Sequence, residues 1–155
     1  MFDFGDLVTL LALLVAGASI LWGFSQRGLN VRVEIRKVCS HIGAKVATCN
    51  GLIDDNEHKA KLLRAAGNVH PAVERASDQE YAAGRRYFCE CVWSDVRWVG
   101  RKMIWKFGPY LEEELGKLHR DMADVEQLLA ELEKEGETLD RELVAAGISA
   151  GRTPH

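Results

Sequence analysis

Two hydrophobic patterns share this chain. Residues Leu7 to Phe24 read LVTLLALLVAGASILWGF, an unbroken apolar run without a charge, whereas beyond it apolar residues recur singly at steps of three and four. A helix over 7–24 would cover roughly 27 Å at about 1.5 Å per residue, close to the ~30 Å hydrocarbon core of a bilayer. The run is therefore expected to form a single N-terminal transmembrane helix, preceded by a short extracytoplasmic segment, 1–6. Asp3 and Asp6 precede it, while Arg27, Arg32, Arg36 and Lys37 follow, offset by Glu34. By the positive-inside tendency this predicts a single-pass protein of a bacterial inner-type plasma membrane, N-terminus outside and C-terminal domain cytoplasmic. A cleavable leader fits less well, because the first residues carry Asp and no Lys or Arg. A buried core helix would need apolar walls on every face.

The remainder, residues 25–147, reads as a small cytoplasmic helical bundle, so the expected fold class is all-α. Val31, Ile35, Val38, Cys39, Ile42, Val46, Cys49 and Ile53 lie on one stripe of a helical wheel. Gly28 and Asn30 either bend the chain or let it run on, and Gly51 with Asp54-Asp55-Asn56 reads as a stop followed by a new cap. A short helix with Leu62, Leu63 and Ala66 should end at Gly67-Asn68, before Pro71. Ser77-Asp78-Gln79-Glu80 is a capping-box pattern that opens a helix reaching toward Gly108-Pro109. Its buried stripe should include Tyr81, Phe88, Cys89, Val92, Val96, Val99, Met103 and Phe107. On the opposite face Trp98, Arg101, Lys102 and Trp105 combine indoles with cations, which an ordinary solvated face does not do.

From Pro109, Leu111, Leu115, Leu118, Met122, Val125, Leu129, Leu132, Leu139 and Leu143 alternate in steps of four and three, with Gly136 breaking the seam. This predicts a long coiled-coil-like last helix, followed by a flexible tail over 148–155. Its flanks are acidic, carrying Glu114, Asp121, Glu126, Glu133, Glu135, Asp140 and Glu142.

Charge changes this picture more than composition does. The 155 residues carry a net charge of −3. That small value hides 15 Lys+Arg against 9 Asp+Glu in residues 25–108, and 4 against 12 in residues 109–147. A parallel homodimer through the last helix would set acid against acid, so the expected arrangement folds it back antiparallel on the helix of residues 78–107. A basic helix of another protein is the alternative partner.

Chemical motifs are sparse. Cys39-Ser-His41 and Cys89-Glu-Cys91 sit two apart, and such positions diverge on a helix, so neither closes on one metal ion. Cys39, Cys49 and Cys89 fall on apolar stripes as small core residues, and Cys91 does not. No phosphate-cradling Gly loop, HExxH or nucleophile elbow occurs. No catalytic residue, metal or cofactor is therefore expected, and no small-molecule substrate is evident. The acidic pI near 6.0 argues against nucleic acid.

The chain thus reads as a membrane-anchored, non-catalytic interaction or scaffold module. Its expected partners are membrane lipid and a protein, or a second copy. The Trp98–Trp105 face and the acidic flank of the last helix are the candidate contacts. A pore-forming or lytic small membrane protein, and a cysteine-based redox or metal sensor, are the rival readings.

Overall fold

The structure is a computed structural model, which describes the backbone of residues 4–102 and 109–148 and the side chains of 13–19, 23, 25–101 and 110–148. Among the described residues the elements are α1 (Phe4–Ala65), α2 (Pro71–Ser77), α3 (Gln79–Lys102) and α4 (Pro109–Ala145). The fold is all-α, a helical bundle built around α1.

The heptad ladder of α4 has a counterpart on α1. Ile35, Ile42, Cys49, Asn56 and Leu63 recur every seven residues and are 0–2% exposed, as are Leu111, Leu118, Val125, Leu132 and Leu139. Cys49 and Asn56 reach the carbonyls of Val125 and Leu132, each across a separation of 76 residues. That offset sets each ladder residue of α1 level with one of α4. Lys45 pairs with Glu126 at 3.1 Å and Lys59 with Asp140 at 2.7 Å, so the partners advance together and the two helices run parallel. α3 returns between them in direction. Arg86 reaches Asp54 and Glu57, while Trp93, further along α3, lies over Gly43, earlier in α1.

Charge had placed α4 on the helix of residues 78–107. α4 is antiparallel to α3, but its seam closes on α1, and α3 meets α4 only sparsely. The magnitudes account for this. An exposed ion pair contributes about 0.2–1 kcal/mol, whereas each fully buried aliphatic side chain contributes about 1.5–3 kcal/mol.

Residues 7–24, expected to be a separate transmembrane helix, are corrected by the structure. They form part of the 62-residue α1, which continues without a break to Ala65. Among the described residues no helix is long and apolar enough to cross a membrane. A span needs about 20 consecutive, largely apolar residues, and the uncharged run over 7–24 is 18 residues long. The stop expected at Gly51 and Asp54-Asp55-Asn56 is also absent. Asn56 points into the α1–α4 seam instead of capping, and Asp54 and Asp55 are held by Arg86 and Lys59.

α1 and α4 end alike. Gly67 (φ +82°) and Gly147 (φ +68°) take the left-handed conformation that favours glycine. Asn68 N–H donates to Leu63 C=O and Ile148 N–H to Leu143 C=O, satisfying carbonyls that each helix end leaves open. Beside these ends α2 buries Ala72, Val73 and Ala76 against Ala60, Leu63, Leu139 and Leu143. α2 begins with Pro71 in the first turn, and His70 Nδ1 accepts from Ala72 N–H. The next cap is Asp78, whose carboxylate accepts from Glu80 N–H at 2.9 Å. Ser77, which the capping-box pattern favoured, donates back to Glu74 C=O.

Gly136 has a specific reason to interrupt the leucine seam. A Cβ there would lie 2.9 Å from Asn56 Oδ1. Asn56 is 2% exposed and donates to Leu132 C=O at 2.9 Å, so the glycine makes room for a buried amide. A polar residue within an apolar seam selects one register: here Asn56 Nδ2 is satisfied while Oδ1 is buried without a hydrogen-bond partner, and any other setting would strand both ends of the amide.

Candidate functional site

The end of the bundle next to the N-terminal part of α1 collects cations and indoles. Arg36 and Lys37 are exposed on α1. The antiparallel register fixed by Trp93 over Gly43 brings the exposed Arg97 and Arg101 of α3 to the same end. Among the described residues none of these cations has an acidic partner. Trp98 is 47% exposed beside them, and Trp93, Arg97, Trp98 and Arg101 line a shallow depression of about 420 Å³ together with Glu90 and Ser94. Of the residues picked from the sequence on this face, Trp98 and Arg101 are thus brought together. The side chain of Lys102, and Trp105 as a whole, lie outside the described residues. In the sequence Arg36 and Lys37 read only as the cations that follow the apolar run, because a bend at Gly28 and Asn30 would leave their direction open; the unbroken α1 sets it.

Above this end α1 extends beyond the first level of the α4 ladder by some 31 residues, about 46 Å of helix. Leu13, Leu14, Val15 and Leu29 are 55–68% exposed there. Arg27 reaches Glu112 at 2.9 Å, the first link from this arm to α4.

The acidic residues singled out on α4 do not form one patch. Glu126 and Asp140 face α1 and pair with Lys45 and Lys59. For Lys59, burial opposes the charge, but Asp140 and Asp55 outweigh it and hold the ammonium above its ordinary pKa. Glu133 lies on the same flank and is exposed. The other flank faces α3. Glu135 pairs with Arg85 at 2.9 Å, both largely buried. Asp121 is half-buried, and its carboxyl is pushed above the usual range by burial and by Asp95 and Asp124. Glu114 stands 4.0 Å from Lys117, and Glu142 accepts from Asn68 at 2.8 Å.

Because α3 and α4 both pack on α1 and little on each other, a groove opens between them. One stretch, about 530 Å³, is lined by Glu80, Tyr81, Gly84, Arg85 and Phe88 of α3 with Asp124, Gln127, Leu128 and Glu131 of α4. It continues past Tyr81 and Arg85 into a second stretch of about 400 Å³ that reaches Thr138. Tyr81 and Phe88 were expected in the core. Tyr81 is 38% exposed and Phe88 half-buried, because the core takes Ala82 there, together with Cys89, which is buried as expected.

The thiols lie in different surroundings. Cys49 and Cys89 are fully buried next to each other, and Cys91 is exposed. Burial, with Cys89 adding, pushes the Cys49 thiol up to about 11, so it is almost wholly protonated near neutral pH and a poor nucleophile. Among the described residues no cluster of His, Cys, Asp and Glu could hold a metal ion. No known family model, curated protein or solved structure matches the chain.

Proposed function

We propose that this protein is a non-catalytic helical interaction module that works at an anionic lipid surface and holds a protein partner there. The observation that carries this reading is the grouping of Trp98 with Arg97 and Arg101 around one depression of α3, at the end of the bundle where Arg36 and Lys37 of α1 are also exposed; among the described residues none of these cations has an acidic partner. Indoles settle at headgroup depth, and each cation near an anionic surface contributes about 1 kcal/mol. The bundle behind this end has a well-packed core and carries an uneven acidic surface, which suits a platform more than a reaction centre.

Flotation of the full chain with vesicles tests this. Vesicles containing one third phosphatidylglycerol should carry the protein up the gradient, more weakly as salt rises. Purely phosphatidylcholine vesicles should carry less. Arg97→Glu with Arg101→Glu should cut flotation on anionic vesicles severalfold without loss of helicity. Equal flotation of wild type and variant at every composition would defeat the role of this face.

A further inference from the structure

The α3–α4 groove has a floor and walls of different chemistry. Phe88 and Leu128 provide apolar floor, both packed against the core yet partly open. Glu80, Asp124 and Glu131 stand exposed along its rim. Further along the same seam Asp95 and Asp124 lie close enough to Asp121 to oppose its ionisation. The one cation lining the 530 Å³ stretch, Arg85, is already engaged: it pairs with Glu135, donates to Tyr81 Oη at 2.7 Å and stacks on the Tyr81 ring at 4.1 Å. Beneath it, Glu135 Oε1 is buried without a hydrogen-bond partner. The 530 Å³ stretch therefore presents an apolar strip between carboxylates that have no ion pair among the described residues, along two helices that face each other across a gap where α1 offers no cover; the second stretch adds Arg75 and Lys134 to its lining.

We propose that this groove is the seat of a protein partner, and that the partner element is a basic amphipathic helix, apolar on one face and lysine- or arginine-rich on its flanks. Such a helix lays its apolar stripe on Tyr81, Phe88 and Leu128 and sets its cations against Glu80, Asp124 and Glu131. It completes a four-helix arrangement of which α1, α3 and α4 supply three. Its cations also offset the negative charge that Asp95 and Asp124 place near Asp121. A second copy of this chain suits the groove less well, since α4, its most regular amphipathic helix, is itself acidic and would bring like charge. The proposal deepens the platform reading by naming where the partner sits, and it is tested without lipid so that the two stand or fall separately.

The probe is a fluorescent 14-residue amidated peptide of leucine and lysine with leucines at helical spacing, titrated with the full-length chain and followed by anisotropy. A leucine–glutamate peptide of the same spacing is the control. The lysine peptide should bind and the glutamate peptide should not. Asp124→Lys with Glu131→Lys should weaken binding at least tenfold. Glu133→Lys with Glu137→Lys, the same charge change on α4 outside the groove, should weaken it no more than about twofold. Gly84 has open space beyond its Cα, so Gly84→Trp blocks the groove without altering charge and should weaken binding at least fivefold. Equal losses from the two charge-reversed pairs, no effect of Gly84→Trp, or no binding by the lysine peptide would each overturn the proposal. So would sedimentation showing that the chain alone dimerises and that Gly84→Trp disperses the dimer. A chain that floats on vesicles yet fails these titrations loses the groove and keeps the lipid contact.

Discussion

Residues 13–33 and 35–63 belong to the same helix, yet they live in different surroundings. In the first stretch Leu13, Leu14, Val15, Leu29 and Val33 are 48–68% exposed; in the second Ile35, Ile42, Cys49 and Leu63 are fully buried. The backbone is equally helical in both. What differs is the jacket: α4 first touches α1 through Arg27–Glu112 and a partly buried Val31, and full burial begins at the level of Ile35. Helix formation and burial are thus separable here. The stretch with partners is patterned in heptads, with a buried amide to set its register. The stretch without them is apolar on more than one face.

The comparison predicts its largest effect in side-chain truncation. Leu132→Ala, at a site with no exposure, should destabilise the bundle by about 2–5 kcal/mol, whereas Leu13→Ala should stay within about 0.5 kcal/mol. Chemical denaturation of the two variants checks this; similar losses would mean that the arm is packed as the bundle is.

Glycine sharpens the contrast within the bundle. Gly136→Ala drives a methyl against Asn56 and should destabilise by about 1–3 kcal/mol. Gly51→Ala, with nothing in the way, should stabilise by about 0.5–1 kcal/mol. Opposite signs in thermal melts are the expected result, and a stabilised Gly136→Ala would remove the role assigned to the Asn56–Gly136 contact.

Smaller effects come from two carboxylates of the bundle that should respond to pH in opposite directions. Lys61 and Arg86 hydrogen-bond Glu57 and hold its carboxyl below the usual range. Its contribution is present above the ordinary Glu pKa and is lost as pH falls through the lower folded value, so Glu57→Gln should flatten the acid limb of the stability profile. Asp121, raised by burial and by Asp95 and Asp124, loses stability as pH rises through its raised folded value. Asp121→Asn should therefore stabilise at pH 7, with the gain vanishing below the ordinary Asp pKa of about 3.9. Urea melts at several pH values read both.

The last contrast leaves stability untouched. Cys91 should react with a thiol reagent in the native protein, and Cys49 and Cys89 only after denaturant is added. Rapid native labelling of Cys49 would mean that the core opens far more readily than its packing implies.

Much of the bundle was legible in sequence because its signals are local. The step of four and three places Leu111 through Leu143 on one face whatever they meet, and Gly67 before Pro71 marks a helix end. Arg101 and Trp98 could be grouped because they lie on one helix face. The α3–α4 groove could not be read in this way. Tyr81 and Phe88 fit a core stripe by spacing, and only the absence of a helix opposite them leaves them open. The short α2 was missed for a related reason, since seven residues are too few for a periodic signal.

By itself the sequence determined that the chain is helical, where its apolar stripes run, and that its acid is concentrated in the last helix. The tertiary structure alone decided that α1 runs through Gly51 without stopping, that α4 seats on α1 in parallel, and that Asn56 and Gly136 share one register. The reason is that helix periodicity depends on neighbours three and four residues away. Helix pairing depends on which buried surfaces fit, and that fit joins residues some 76 positions apart.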